Sequence, residues 1–396
     1  MKTNKIFNNG WTNIVLLLTG AAVLVLCFVC RGSFGASELP ASSAVFRVEN
    51  YTDGEVVHYP VALLKGRVDG IEQGRVVVEN LSSAAPSRIM SGGVYDGRFK
   101  VLAELVEGEN RLVVAVGGVR TELQLVYRRS SNPRFVRLVF FTDASGNDEF
   151  YTPDEWTVGR TAGENEQVGF VRKLQVAALL WQTATAERLY DAGYGRRTFT
   201  LETDASGEVV VWKQRGRKSS EEYCALSETE RFHEICGEVF SGPAFVDGAC
   251  FFVLTSLKGA GGQGKVALGS DNVAMLDAGS FFSWPSRLDE ALDFFSDSTP
   301  VSSEYARDSA YRNVRWALTA SSLGAGLHEL GHAFGLKHTD DPNDFMSRGF
   351  DRFNRIFMVF EPSSALSDGG PFPDKDVVEW TKSTAPTLIR SLWIER

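Results

Sequence analysis

A chain of 396 residues, 43% of them hydrophobic, is long enough for more than one buried core. Its 50 acidic and 41 basic side chains leave a formal charge of −9, which excludes nucleic acid as its main partner, because phosphate binding needs a basic face. Neither a basic-aromatic stripe nor a cofactor fingerprint stands in the sequence to suggest a nucleotide-dependent function.

Residues 1–40 read as a signal anchor or a signal peptide. Lys2 and Lys5 precede an apolar run from Ile14 to Cys30, which Arg31 and the small-residue stretch Gly32–Ser37 follow. A cleaved signal carries about 7–15 apolar residues and a spanning helix about 17–25, so the run falls between the two, with the anchor favoured. The expected location is therefore membrane-anchored with a lumenal or extracellular catalytic domain, or secreted. Outside that run the cysteines are Cys224, Cys236 and Cys250. In an oxidising compartment one bridge, Cys224–Cys236 foremost, and one free thiol are expected. The sequons Asn50-Tyr51-Thr52 and Asn80-Leu81-Ser82 are compatible with a lumenal face.

From residue 44 to 128 the chain alternates short strands with turns, at Val56–Leu64, Arg75–Val78, Arg98–Leu105, Arg111–Val116 and Glu122–Tyr127. That pattern predicts an all-β sandwich of immunoglobulin-like or fibronectin-like size. Arg129–Arg134, with Pro133, reads as a linker, and a second domain spans 135–396. It opens on an apolar strand, Phe135–Phe141. Asp143, Asn147 and Asp148 follow in a turn that reads as an Asx turn rather than a calcium loop. Val171, Leu174, Ala178 and Trp181 then repeat at helical spacing. Strands at Thr198–Glu202 and Glu208–Trp212 flank the turn Asp204–Gly207, and Arg215–Lys218 is a charged surface loop. Arg231–Gly237 begins with His-Glu after its first two residues but has Gly237 where a second histidine would be needed, so it reads as ordinary helix. A strand at Cys250–Ser256 leads into the Gly-rich stretch Lys258–Gly269. A long helix starts between Asp308 and Arg315 and ends near Gly335, with Leu327, Leu330 and Phe334 as its core stripe. Asp376–Ile394 has helical spacing through Val378, Thr381, Leu388 and Leu392, and is expected to pack beneath that helix.

Three of the five histidines stand at His328, His332 and His338. With Glu329 and Gly335 they match H-E-x-x-H-x-x-G-x-x-H. A bare HExxH arises in roughly one chain in a hundred of this length, and the added Gly and His lower that by about three orders of magnitude. Residues four apart on a helix share a face, so His328 and His332 aim at one point. Gly335 can adopt the positive φ that ends the helix and turns the chain back, bringing in His338. Three neutral imidazoles hold one zinc ion and leave a position for water. Glu329, one residue round the helix, then serves as catalytic base to that water.

This window resembles the zinc-binding consensus of the metzincin metallopeptidases. Met346, eight residues after His338, stands at a spacing similar to the methionine turn of the matrixin branch. Met346–Asp351 lacks the Tyr-Pro of matrixins. Gly324–Glu329 together with Met346–Phe350 is more like a family of uncharacterised eukaryotic zinc metallopeptidases, a likeness that runs from about residue 44 onward. The resemblance implies a metzincin-like α+β catalytic domain over 135–396. It implies a metal set of His328, His332 and His338 for Zn2+, Glu329 as the catalytic residue, and Met346 under the metal. An edge strand within Val266–Leu276 would hold a peptide or protein substrate. Arg348 is a candidate second oxyanion donor, and Asp340, Asp341 and Asp344 are candidate partners for imidazole N–H groups. The function expected is a zinc-dependent metallopeptidase, and an endopeptidase. The alternatives are a zinc hydrolase of a non-peptide amide or ester, or a binding or adhesion protein using the β-sandwich.

Overall fold

The computed structural model describes residues 46–83, 89–150, 152–153, 156, 169–257 and 265–395. The apolar run Ile14–Cys30 lies outside them; among the described residues no helix is long and apolar enough to cross a membrane.

The first eight strands are β1 (Phe46–Val48), β2 (Glu55–Val57), β3 (Val61–Val68), β4 (Gln73–Asn80), β5 (Met90–Tyr95), β6 (Arg98–Glu104), β7 (Gly108–Val116) and β8 (Val119–Tyr127). They do not form the two facing sheets of a sandwich. Hydrogen bonding joins them in a single sheet, ordered β1-β3-β6-β5-β4-β7-β8-β2. The β7–β8 hairpin pairs onto β4 instead of starting a second layer. The sheet curls until β1 approaches β8, enclosing Leu63, Val76, Leu112, Val114 and Leu125, all wholly buried. The period-two alternation that predicted strands supplies this inner face, since every second side chain points inward.

The asparagines of both sequons take part in the fold of the first sheet. Asn50 Nδ2 donates to Leu63 O (2.8 Å) and to Glu187 Oε2 (3.0 Å). Asn80 Nδ2 donates to Glu104 O (3.0 Å) and Asn110 Oδ1 (2.7 Å).

The second sheet contains β9 (Phe135–Thr142), β10 (Val211–Arg215), β11 (Ala249–Ser256), β12 (Ala267–Ser270) and β13 (Val273–Asp277), in the order β10-β9-β11-β13-β12. All neighbours are parallel except β12, which runs antiparallel to β13 and forms one edge. Every residue of β11 is buried, as expected for a central strand covered on both faces. Among the described residues the α-helices that can be bounded are α1 (Gly169–Asp191), α2 (Ser220–Cys224), α3 (Glu228–Ser241), α4 (Ala291–Phe294), α5 (Arg315–Ala333) and α6 (Ala385–Leu388). Alternate residues of the strands serve opposite layers. Leu138, Phe140, Phe252 and Leu254 join the core that includes Trp181 of α1 and Leu327 of α5. Val139, Phe141, Phe251 and Val253 join Phe232, Ile235 and Val239 of α3. Trp181 Nε1 donates to Leu323 O at 2.7 Å and locks α1 to α5.

Residues from 44 onward form one compact unit, and its core runs across Arg129–Arg134. A buried polar network ties the first sheet to α1. Glu187, with no exposed side-chain surface, accepts from Arg196 Nε (2.8 Å), Tyr51 OH (2.9 Å), Asn50 Nδ2 (3.0 Å) and Lys65 Nζ (3.0 Å). A buried carboxylate is tolerable only when its lone pairs are satisfied in this way.

Two further expectations are corrected. Asp376–Ile394 is no continuous helix: a 3-10 turn, Asp374–Asp376, ends at its first residue and its only helical element is the single turn α6. Its backbone pairs with the loop after the histidines instead, through Glu379 N to Asn343 O (2.9 Å) and Phe345 N to Glu379 O (3.1 Å). The cysteines Cys224, Cys236 and Cys250 are all free thiols. Cys236 packs into the α3 core and Cys250 is buried within β11, whereas Cys224 ends α2 partly exposed.

Candidate metal centre

Helix α5 carries His328 and His332 one turn apart on the face turned from its Leu327–Leu330 stripe. It ends in a Schellman motif: Leu336 N donates to Gly331 O (2.9 Å) and Gly335 N to His332 O (2.9 Å). Gly335 takes φ +95°, a conformation that costs other residues energy. The reversal carries His338 back over the helix end.

The three rings converge. His338 Nε2 lies 3.2 Å from His328 Nε2 and 3.1 Å from His332 Nε2. In a tetrahedral zinc site with Zn–N of about 2.0–2.1 Å, neighbouring nitrogens stand about 3.3 Å apart. The two His338 pairs match that spacing and all three donors lie within 4.8 Å of one another, so three neutral imidazoles stand where a small inward shift would let them share one zinc ion. The tautomers fit as well. His328 Nδ1 lies 2.6 Å from Phe345 O and His332 Nδ1 lies 3.0 Å from Leu336 O. A carbonyl can only accept, so Nδ1 carries the proton and Nε2 keeps its lone pair for a metal. Burial pushes the His328 imidazolium down to about 4 and lowers His332, keeping both rings neutral. Those carbonyls do the work expected of Asp340, Asp341 or Asp344.

Asp344 has another role that the sequence concealed. It is wholly buried and accepts from Met346 N (2.7 Å), Thr381 N (3.1 Å), Thr381 Oγ1 (2.5 Å) and Thr384 Oγ1 (2.6 Å). It thereby ties the methionine loop to the C-terminal segment. Met346 is also wholly buried, with its sulfur so close to Gly331 that a Cβ there would stand 2.4 Å away. The ring of Phe350 lies 5.0 Å from that of His328 and flanks the site.

Glu329 is buried next to His328, and burial, reinforced by the charge of Glu228, pushes its carboxyl up to about 8 without a metal; a cation held by the histidines would bring it back toward the ionised form that a base needs. Arg348 is held by Asp351, with Nε to Oδ2 at 2.8 Å and Nη2 to Oδ1 at 2.9 Å, and lies 4.8 Å from the Phe350 ring. It stands at the rim, largely exposed, with a carboxylate already across its fork. The expected edge strand is present as the outer half of a hairpin: β12 lies along α5, close to His332.

The family described as "Putative peptidase family" matches residues 45–235 and 246–390. The chain belongs to this family. A protein of Schizosaccharomyces pombe named "Putative zinc metalloproteinase" is 27% identical over 363 residues, covering 84% of this chain and 57% of that protein. A second of that name, from Saccharomyces cerevisiae, is 24% identical over 373 residues, covering 84% of this chain and 52% of its own length. The chain thus spans little more than half the length of these relatives. Among solved structures, wild-type OgpA from Akkermansia muciniphila gives a TM-score of 0.41 at 15% identity, covering 66% of this chain and 61% of the other, a likeness too distant to bear on function.

Proposed function

We propose that the chain is a zinc-dependent metallopeptidase of metzincin type, cutting within extended peptides. The observation that carries this reading is the convergence of the His338 nitrogen on those of His328 and His332 at 3.2 and 3.1 Å, with Glu329 next to His328 on the same helix and β12 at the edge of the sheet among the described residues. Membership of a peptidase family and relatives named as zinc metalloproteinases support it. So does Met346, eight residues past His338 and packed under the helix.

One zinc ion, held by His328, His332 and His338, supplies Lewis acidity that acidifies water and polarises the scissile carbonyl. The chain's own residues do the rest. Glu329 takes a proton from the attacking water as it adds to the carbonyl carbon, then hands it to the amine nitrogen as the C–N bond breaks. The Phe345 and Leu336 carbonyls hold the two helix imidazoles in a single tautomer. The edge strand β12 favours a peptide over a compact amide or ester, because a strand edge recognises backbone.

Zinc content and cleavage of a peptide library test the reading on the chain from residue 40 onward. Wild type should hold one zinc per chain and cleave. Glu329→Ala should keep the metal while losing roughly 10²- to 10⁴-fold in turnover. A purified protein without zinc, or turnover undiminished by Glu329→Ala, would sink the proposal. Zinc with ester but no peptide turnover would move it to the non-peptide hydrolase.

A further inference from the structure

In an antiparallel pair, residues alternate between those bonded to the partner strand and those whose N–H and C=O point away from it. Asp277 N donates to Val266 O at 2.9 Å, and the register then sets Ala267 opposite Leu276 and Gly269 opposite Ala274. Ala267 and Gly269 are therefore the residues of β12 that turn their backbone groups toward the open edge. At Gly269 the strand touches the metal helix: a Cβ there would stand 2.3 Å from Glu329 O and 2.7 Å from His332 Cβ. A peptide paired with Gly269 passes beside the histidines.

The next outward N–H along the edge is occupied. Ala267 N donates to Glu228 Oε1 at 3.1 Å. Glu228 is the first residue of α3, whose Arg231 also holds Lys265 O at 2.8 Å. The helix does not need Glu228 for its own cap, because Ser227 and Glu230 form the capping box. Glu228 is exposed, and its charge reaches Glu329 across the strand. An exposed edge N–H invites unwanted pairing, and a carboxylate is a removable way to block it.

We infer that Glu228 is a displaceable cap on the substrate edge: it holds the Ala267 N–H until the carbonyl of an extended substrate takes that bond. Peptides that pair only at Gly269 leave the cap in place. Peptides that continue past Gly269 must expel the carboxylate, so Glu228 acts as a length-dependent specificity residue. This inference rests on the peptidase reading.

The test is peptide binding to the zinc-loaded full chain carrying Glu329→Ala, alone or with Glu228→Ala or Glu228→Gln. Fluorescent peptides are lengthened one residue at a time, in one series at the N-terminus and in another at the C-terminus. Glutamine can still accept from the Ala267 N–H but carries no charge. Glu228→Ala should tighten binding by about 2- to 10-fold, only for peptides long enough to reach Ala267 and in one series only. Glu228→Gln should match the parent. A change of equal size for short and long peptides, or the same gain with glutamine, would make the effect electrostatic and overturn the cap. No change with any peptide would also overturn it. If the parent binds no peptide at all, the peptidase reading falls, and the cap with it.

Discussion

Asp344 accepts four hydrogen bonds while fully buried, and three of its donors come from Thr381 and Thr384. Replacing it by alanine strands those donors without water, each at roughly 1–3 kcal/mol. Asp344→Ala should therefore lower stability by about 3 kcal/mol or more, measured by urea unfolding, and weaken zinc retention. Unchanged unfolding would show that the loop does not depend on this carboxylate. At this scale the sequence was readable where chemistry is local. His328, His332 and Glu329 sit within one helical turn, and Gly335 announces its turn by being glycine. Asp344 was named for the wrong partner, because three of its four donors lie far along the chain and no spacing rule connects them. Phe350 and Glu228 escaped notice for the same reason: each acts through a neighbour supplied by the fold.

The end of α5 shows how one element positions a ligand set. The Schellman turn reverses the chain so that His338 meets two rings that precede it, and Gly335 at φ +95° makes that reversal cheap. Gly335→Ala should cost about 1–2 kcal/mol in stability. It should also weaken zinc binding, read by competition with a chelator, because His338 follows three residues later. A loss of stability without loss of zinc affinity would mean that the turn does not set the position of His338. Strands and the long helices were legible from periods of two and 3.6. The C-terminal segment misled: its apolar spacing is helical, yet its backbone bonds go to the methionine loop. Spacing reports which face is apolar, but not whether another chain segment offers better partners for the N–H and C=O groups.

Across the molecule, the curled first sheet and the histidine-bearing part share one core, and Lys100 joins them. It lies on β6 and donates to Arg355 O at 2.7 Å, in the 3-10 segment Arg348–Ile356 that follows the methionine loop. Burial, with Lys65 and Arg188 nearby, pushes its ammonium down to about 7 from the usual 10.5. Between these values the unfolded chain binds the extra proton, so the native state gains stability as pH rises from 7 to 10.5 and loses it on the way down. Lys100→Met should remove that dependence: wild-type Tm should rise relative to the variant across this window. A constant Tm difference would show that Lys100 titrates alike in both states. The single eight-stranded sheet, like Lys100, was beyond local reading. The strands themselves were visible, but whether β7 pairs with β4 or starts a second layer depends on contacts between distant segments.

By itself the sequence determined which residues can do chemistry, because three imidazoles and a carboxylate within 328–338 are arranged by helix geometry and one glycine turn. Only the tertiary structure decided what surrounds them: carbonyls that select the tautomers, Asp344 tying the methionine loop to Thr381 and Thr384, and a strand edge with Glu228 on it. Those partners are set by which distant segments satisfy one another's buried polar groups, and that balance belongs to the whole folded chain.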